Sequence, residues 1–167
     1  MNSSMAATAS LAGLLAGFGI VSAAHMAAAQ NAPPAAPQAY RPGLGDLMTM
    51  TVQPRHIKLG LAGREKNWPY AKYELHELEE SFERIVRVWA KYKGLPLGGM
   101  LDAIAKGPMA AVSKAIADQD AERFAAAYGQ LTAGCNACHQ AANVGLVVIK
   151  VPDASSFPNQ DFRPPQP

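Results

Sequence analysis

The most reactive side chains of the sequence stand together near its C-terminal end. Cys135 and Cys138 are the two cysteines, and His139 follows directly in the stretch TAGCNACHQA. On a helix, side chains three or four positions apart share a face, so two thiols and an imidazole would address one flat object together. Cys-x-x-Cys-His is the attachment signature of c-type haem. We therefore expect one covalently bound haem c, held by Cys135 and Cys138, with His139 as the proximal iron ligand.

Three other uses of such a cysteine pair fit the sequence less well. A zinc site needs a fourth ligand and usually a second ligand pair, and the sequence has no third cysteine. A thioredoxin-type redox pair follows a strand and opens a helix, whereas this motif lies late in a predicted helix. A structural disulfide across two intervening residues closes a very small loop and adds little stability.

The elements that must position the motif are predicted to be helices. Between Leu44 and Asn143 apolar residues recur at intervals of three and four, without the alternation of strands. The clearest helix lies in NWPYAKYELHELEESFERIVRVWAKYKG, where Asn67 can cap the start and Pro69 suits the first turn. Gly94 and Pro96 are then predicted to end this helix.

Two further helices lead to the motif. One begins at Gly107 and Pro108, and Asp120 can cap the last one. The inward stripe of that last helix steps by fours and threes and ends at Cys135 and Cys138. The cysteines should therefore face the core.

The first helix, from Leu44 to about Leu61, has two competing apolar stripes, so its buried face is not settled by periodicity. Pro54 removes the amide that would bond the carbonyl of Met50, which predicts a kink or a broken turn. Four helical segments with short connections predict an all-α fold, an antiparallel four-helix bundle whose core is the usual place for a cofactor.

A distal iron ligand would have to come from upstream, because residues 140–167 contain no Met, His or Cys. In such a bundle the start of the first helix lies level with His139, which favours Met48 or Met50; His56 lies roughly 12 Å farther along. Met48 and Met50 point about 200° apart, so at most one faces the iron. We favour Met48 and keep Met50, His56 and a five-coordinate iron as alternatives.

The N-terminal segment predicts export. A small-residue apolar run from Leu11 to Ala24 is followed by Ala27-Ala28-Ala29, which fits a secretory cleavage site. Residues 1–29 are therefore interpreted as a signal peptide and the protein as periplasmic. The alternatives are an uncleaved membrane anchor and a buried helix. Residues 30–43 are a Pro/Ala-rich linker, 44–143 the haem domain and 144–167 an extended tail.

The remaining candidates are weaker. The apolar run GLVVIKV in the tail either covers an exposed haem edge or belongs to a frayed terminus. Arg55 and Lys58 are surface charges or partners of haem propionates. His76 lies among carboxylates on a polar face and should be exposed.

Composition limits the class of protein. The sequence has 167 residues, 49% of them hydrophobic and 7% aromatic, as expected for one domain with one core. Its net charge is +2, and no run of basic residues stands out. The basic footprint of a nucleic-acid-binding protein is therefore missing.

With its C-terminal CxxCH, the sequence resembles the class II cytochromes c, the cytochrome c prime group with its Met/His-ligated members. The resemblance covers Leu44 to Asn143 and is specific at the motif. The stretches LGDLM, PRHIKLGLAG, NWPYAKYEL and SFPNQDF further resemble a set of small proteobacterial periplasmic cytochromes. We therefore expect an electron-transfer cytochrome rather than an enzyme. Its partner would be a second redox protein, and the resemblance is compatible with a homodimer. A five-coordinate binder of nitric oxide or carbon monoxide, and a haem-containing interaction or sensory module, are the alternatives.

Overall fold

Residues 40–166 are described by the computed structural model, and over this range the chain is mostly helical, which confirms the predicted all-α fold class. The elements are α1 (Leu44–Leu47), a π-helical segment (Met48–Val52), α2 (Gln53–Arg64), α3 (Trp68–Val88), the strands β1 (Lys91–Tyr92) and β2 (Leu95–Pro96), α4 (Leu97–Ile104), α5 (Lys106–Asp118) and α6 (Ala121–Ala141). The predicted signal peptide, residues 1–29, and most of the predicted linker, residues 30–43, lie outside the described residues. No helix within the described range is long and apolar enough to span a membrane.

Pro54 shapes the beginning of the first helix. Because proline has no amide hydrogen, the carbonyl of Met50 loses its usual partner four residues on. The helix is wider just before this point: the Gln53 amide donates to the carbonyl of Met48, five residues back. Pro54 itself lies in the first turn of α2, directly after the wider turn. The kink predicted at Pro54 therefore takes the form of a π-helical turn.

The long helix α3 begins where the sequence predicts. The Asn67 side chain accepts a hydrogen bond from the Tyr70 amide at 3.3 Å and so caps the helix. The buried side of α3, which includes Leu75, Leu78 and Ile85, packs chiefly against α2. The turn between α2 and α3 is short, so the two helices run antiparallel.

The connection after α3 is richer than predicted. The sequence pattern predicts this helix and next a helix at Gly107, whereas the chain first forms the β1–β2 hairpin and the two-turn helix α4. Gly94 occupies the hairpin turn with φ +85°, a conformation that glycine adopts without steric cost. Helix α4 contacts both α5 and α6, so it belongs to the packed structure around the motif.

The last two helices form a second close pair. The side chain of Asp120 accepts a hydrogen bond from the Arg123 amide at 2.9 Å, which confirms the predicted cap of α6. Along α6, Phe124, Tyr128 and Leu131 are almost fully buried, as predicted. Helix α2 also contacts α6, and Gly63 allows this approach because a methyl group there would collide with the Phe124 ring.

The tail contacts the helices along its length although it forms no helix or strand. Phe162 is only 6% exposed and belongs to the hydrophobic core. The Asn67 amide group donates to the carbonyls of Phe162 and Arg163 at 3.2 and 3.1 Å, and Arg64 donates to the Asp153 carbonyl at 2.9 Å. The tail therefore passes from the end of α6 to the turn between α2 and α3.

Candidate haem site

Cys135, Cys138 and His139 lie on one side of the last two turns of α6. They continue the stripe of buried side chains of that helix, because residues three and four apart share a face. Both thiols are free and partly buried, and His139 is partly exposed. The structure thus brings together the three residues that the sequence predicts as one site.

The imidazole of His139 is fixed by the backbone of the tail. Its Nδ1 lies 2.7 Å from the carbonyl oxygen of Val147. A carbonyl oxygen only accepts, so Nδ1 donates this hydrogen bond, and in the neutral ring Nε2 carries the lone pair. In histidines that bind a metal through one ring nitrogen, the N–H of the other nitrogen usually donates a hydrogen bond to such an acceptor. This bond fixes the ring and raises the basicity of the nitrogen that binds the metal. His139 therefore has the tautomer that a proximal ligand needs.

Asn136, between the two cysteines, holds the tail that carries this carbonyl. Its side-chain amide donates to the carbonyl of Ile149 at 2.8 Å, and its side-chain oxygen accepts from the amide of Ile149 at 2.7 Å. Both hydrogen bonds therefore join the Asn136 side chain to the backbone of a single residue, Ile149. They fix the tail two residues from Val147, so one residue of the motif positions the partner of another.

Burial makes the two thiols poor nucleophiles in the folded chain. Desolvation, with a smaller contribution from Cys138, raises the pKa of Cys135 to about 11. Desolvation also raises the pKa of Cys138. Both groups are therefore protonated at neutral pH, unlike the thiolates of redox-active cysteine pairs.

Helix α4 covers the motif from one side. The Sγ atom of Cys138 lies 3.1 Å from the Sδ atom of Met100, which is partly buried. On α6, Gly134 lies one turn before Cys138. A Cβ atom at this position would lie 2.7 Å from the carbonyl oxygen of Ile104 on α4, so only glycine allows this close approach. The sequence pattern did not predict α4 and therefore did not point to Met100. The apolar spacing of Leu97, Met100 and Ile104 was the available signal.

The two methionines of the first helix have different environments. Met48 is partly buried against the hydrophobic core, whereas Met50 is 75% exposed. The π-helical segment that carries both makes its main tertiary contacts with α3. Of the two, Met48 is the one that faces the interior.

His56, an alternative iron ligand in the sequence analysis, is bound within the core. It is 3% exposed, its Nε2 lies 3.0 Å from the Thr132 hydroxyl, and its Nδ1 lies 3.1 Å from the Tyr128 hydroxyl. Desolvation lowers the pKa of His56 to about 4, so the ring is neutral at physiological pH. Both ring nitrogens are engaged, which leaves none free for iron.

The three remaining sequence candidates also have partners elsewhere. Arg55 forms ion pairs with Glu74, at 3.2 Å, and with Glu77, at 2.9 Å. Lys58 lies over the ring of Phe157, 4.8 Å from its centre. His76 is exposed and lies 3.5 Å from a carboxylate one turn along α3, as predicted.

The described residues offer no ready-made metal cage. Across residues 40–166, no three His, Cys, Asp or Glu side chains are grouped so as to hold a metal ion. Haem attachment does not require such a group, because the thiols bond to porphyrin carbon atoms and a single imidazole reaches the iron. Two free thiols beside an imidazole with a free Nε2 therefore fit haem c.

The described surface also has a cavity of about 420 Å³ between α3 and α4 and one of about 220 Å³ under the tail, but the motif lines neither.

Comparison of the chain with known protein families, curated proteins and solved structures finds no match.

Proposed function

We propose that this protein is a monohaem c-type cytochrome that transfers electrons in the periplasm. Haem c would be attached to Cys135 and Cys138, with His139 as the proximal ligand, in an antiparallel four-helix bundle similar to the class II cytochromes c. The observation that supports this most directly is the hydrogen bond from His139 Nδ1 to the Val147 carbonyl, beside two free thiols. In metal-binding histidines, such a hydrogen bond at one ring nitrogen fixes the ring and raises the basicity of the other nitrogen.

Bound haem would supply a one-electron couple between ferrous and ferric iron. The chain would contribute the two covalent links, the orientation of His139 and the apolar surroundings of α6. A distal thioether, for which the sequence favours Met48, would stabilise the ferrous state. No substrate is converted, so the partner is a second redox protein rather than a small molecule.

The second candidate is a five-coordinate binder of nitric oxide or carbon monoxide. It is favoured by the position of Met48, because the segment that carries it packs mainly against α3. With Met50 exposed and both nitrogens of His56 engaged, the iron would keep an open position if Met48 does not reach it. Binding of carbon monoxide to the reduced protein separates the two functions.

The test is covalent haem in the exported full chain, produced in a bacterium that matures c-type cytochromes. We expect haem that survives denaturing gel electrophoresis and acid acetone extraction in the wild type. Replacement of both thiols, Cys135→Ser with Cys138→Ser, should abolish it, whereas Met50→Ala at an exposed site should not. A wild-type chain without covalent haem would refute the proposed function.

A further inference from the structure

The order of side chains around α6 defines two sides of the cysteine pair. Successive residues of an α-helix are rotated by about 100°. Viewed along α6, the order around the helix is therefore Gly134, Cys138, Cys135 and His139. Gly134 and His139 flank the two thiols on opposite sides.

Helix α4 occupies the side of Gly134. The Ile104 carbonyl packs directly on Gly134, and the Met100 sulfur touches the Cys138 sulfur four residues later on α6. The tail occupies the other side, through the bond between His139 and Val147. The thiols thus lie between an imidazole on one side and a thioether on the other.

We propose that Met100, rather than Met48, supplies the distal thioether ligand of the iron. This inference rests on the proposed haem function. A second ligand would reach the iron from the side opposite His139, and α4 is the element that packs on that side of the cysteine pair. Methionine has three rotatable bonds and a soft sulfur, which allow Met100 to change its rotamer when the Cys138 thiol is consumed by attachment.

The position of Met48 agrees with this assignment. Met48 is partly buried, but its segment packs mainly against α3, whereas α4 packs against α6 itself. Met100 also lies in sulfur-to-sulfur contact with a residue of the motif. Within residues 40–166, Met100 is the methionine whose sulfur atom lies within hydrogen-bonding distance of one of the two thiols.

The test compares optical spectra of the haem-loaded full chain. Met100→Leu, which keeps an apolar side chain of similar volume, should lose the thioether-to-iron charge-transfer band, become high-spin and bind carbon monoxide when reduced. Met48→Leu and Met50→Leu are the matched controls and should keep the wild-type spectrum. Circular dichroism shows whether each variant is folded.

The second measurement introduces a histidine as a new iron ligand at either methionine position and compares the optical spectra. Met100→His should give a low-spin bis-histidine spectrum, whereas Met48→His should not. The inference is overturned if Met48→Leu rather than Met100→Leu loses the band, or if the wild type is already high-spin with covalent haem. In both of these cases the haem function itself stands; absence of covalent haem would instead refute the function.

Discussion

Two histidines of this protein illustrate how differently one side chain is used. His56 is enclosed in the core, and both of its ring nitrogens are bonded to hydroxyl groups of α6. His139 lies on α6 itself, and one nitrogen donates to a backbone carbonyl while the other stays free. The first arrangement suits a neutral structural residue and the second a metal ligand. Burial and partners both differ: the buried His56 has a hydroxyl partner at each ring nitrogen, whereas the partly exposed His139 uses only Nδ1.

The largest difference between the two histidines should appear in the haem spectrum. Under the proposed function, His139→Gly would remove the proximal nitrogen but not the thiols, so we expect covalent haem that has completely lost the wild-type spectrum. Added imidazole should restore much of it. His56→Gln should leave the spectrum unchanged. The comparison fails if the spectrum depends on His56 and survives the loss of His139.

The next difference should appear in the pH dependence of stability. The pKa of His56 is about 4 in the folded chain, below the ordinary value of 6.5, so below pH 6.5 the unfolded chain binds a proton that the folded chain does not. Stability from the neutral ring is fully present above pH 6.5 and is lost as the pH falls towards 4. Between pH 7.5 and 5 this amounts to about 2 kcal/mol.

Urea denaturation at the two pH values measures this effect. His56→Gln should reduce the loss of unfolding free energy between pH 7.5 and 5 by about 2 kcal/mol relative to the wild type. His76→Gln, at an exposed histidine, should keep the wild-type difference. An unchanged pH dependence in His56→Gln would show that the ring titrates normally.

The smallest effect concerns the residue that supports His139 at a distance. Asn136→Ala removes the two hydrogen bonds to Ile149 and should lower the unfolding free energy by about 1–2 kcal/mol. Hydrogen exchange of the Ile149 amide should become faster, and Asn159→Ala, at an exposed position of the tail, should change neither quantity. Unchanged exchange at Ile149 would mean that the tail is held without Asn136.

Local signals predicted where the long helices begin, but α3 ends at Val88 and not, as predicted, at Gly94. Asn67 and Asp120 are capping residues in the sequence and caps in the structure, because capping depends on neighbours only three positions away. Helix α4 was missed because Gly98 and Gly99 lower its intrinsic helix propensity, so its formation depends on packing against α5 and α6. Pro54 predicted a disturbance, but the choice of a π-helical turn depends on the whole helix.

The candidate site was predictable where it depends on side-chain spacing. Cys135, Cys138 and His139 follow from a local motif. The support of His139 was not predictable, because the tail contributes backbone atoms: Val147 offers its carbonyl, while its side chain stays 46% exposed. The apolar side chains of GLVVIKV predict a hydrophobic cover over the haem edge. The direction of a backbone carbonyl cannot be predicted from side-chain types.

The burial of Cys135 has a consequence for the order of assembly. A thiol reacts as its thiolate, and in the folded chain the raised pKa keeps this one protonated beneath its neighbours. Under the proposed function, haem would therefore attach more readily before α6 is packed and before Asn136 binds the tail. A chain that folds first would present a protonated, partly buried Cys135, so its attachment to haem should be slower.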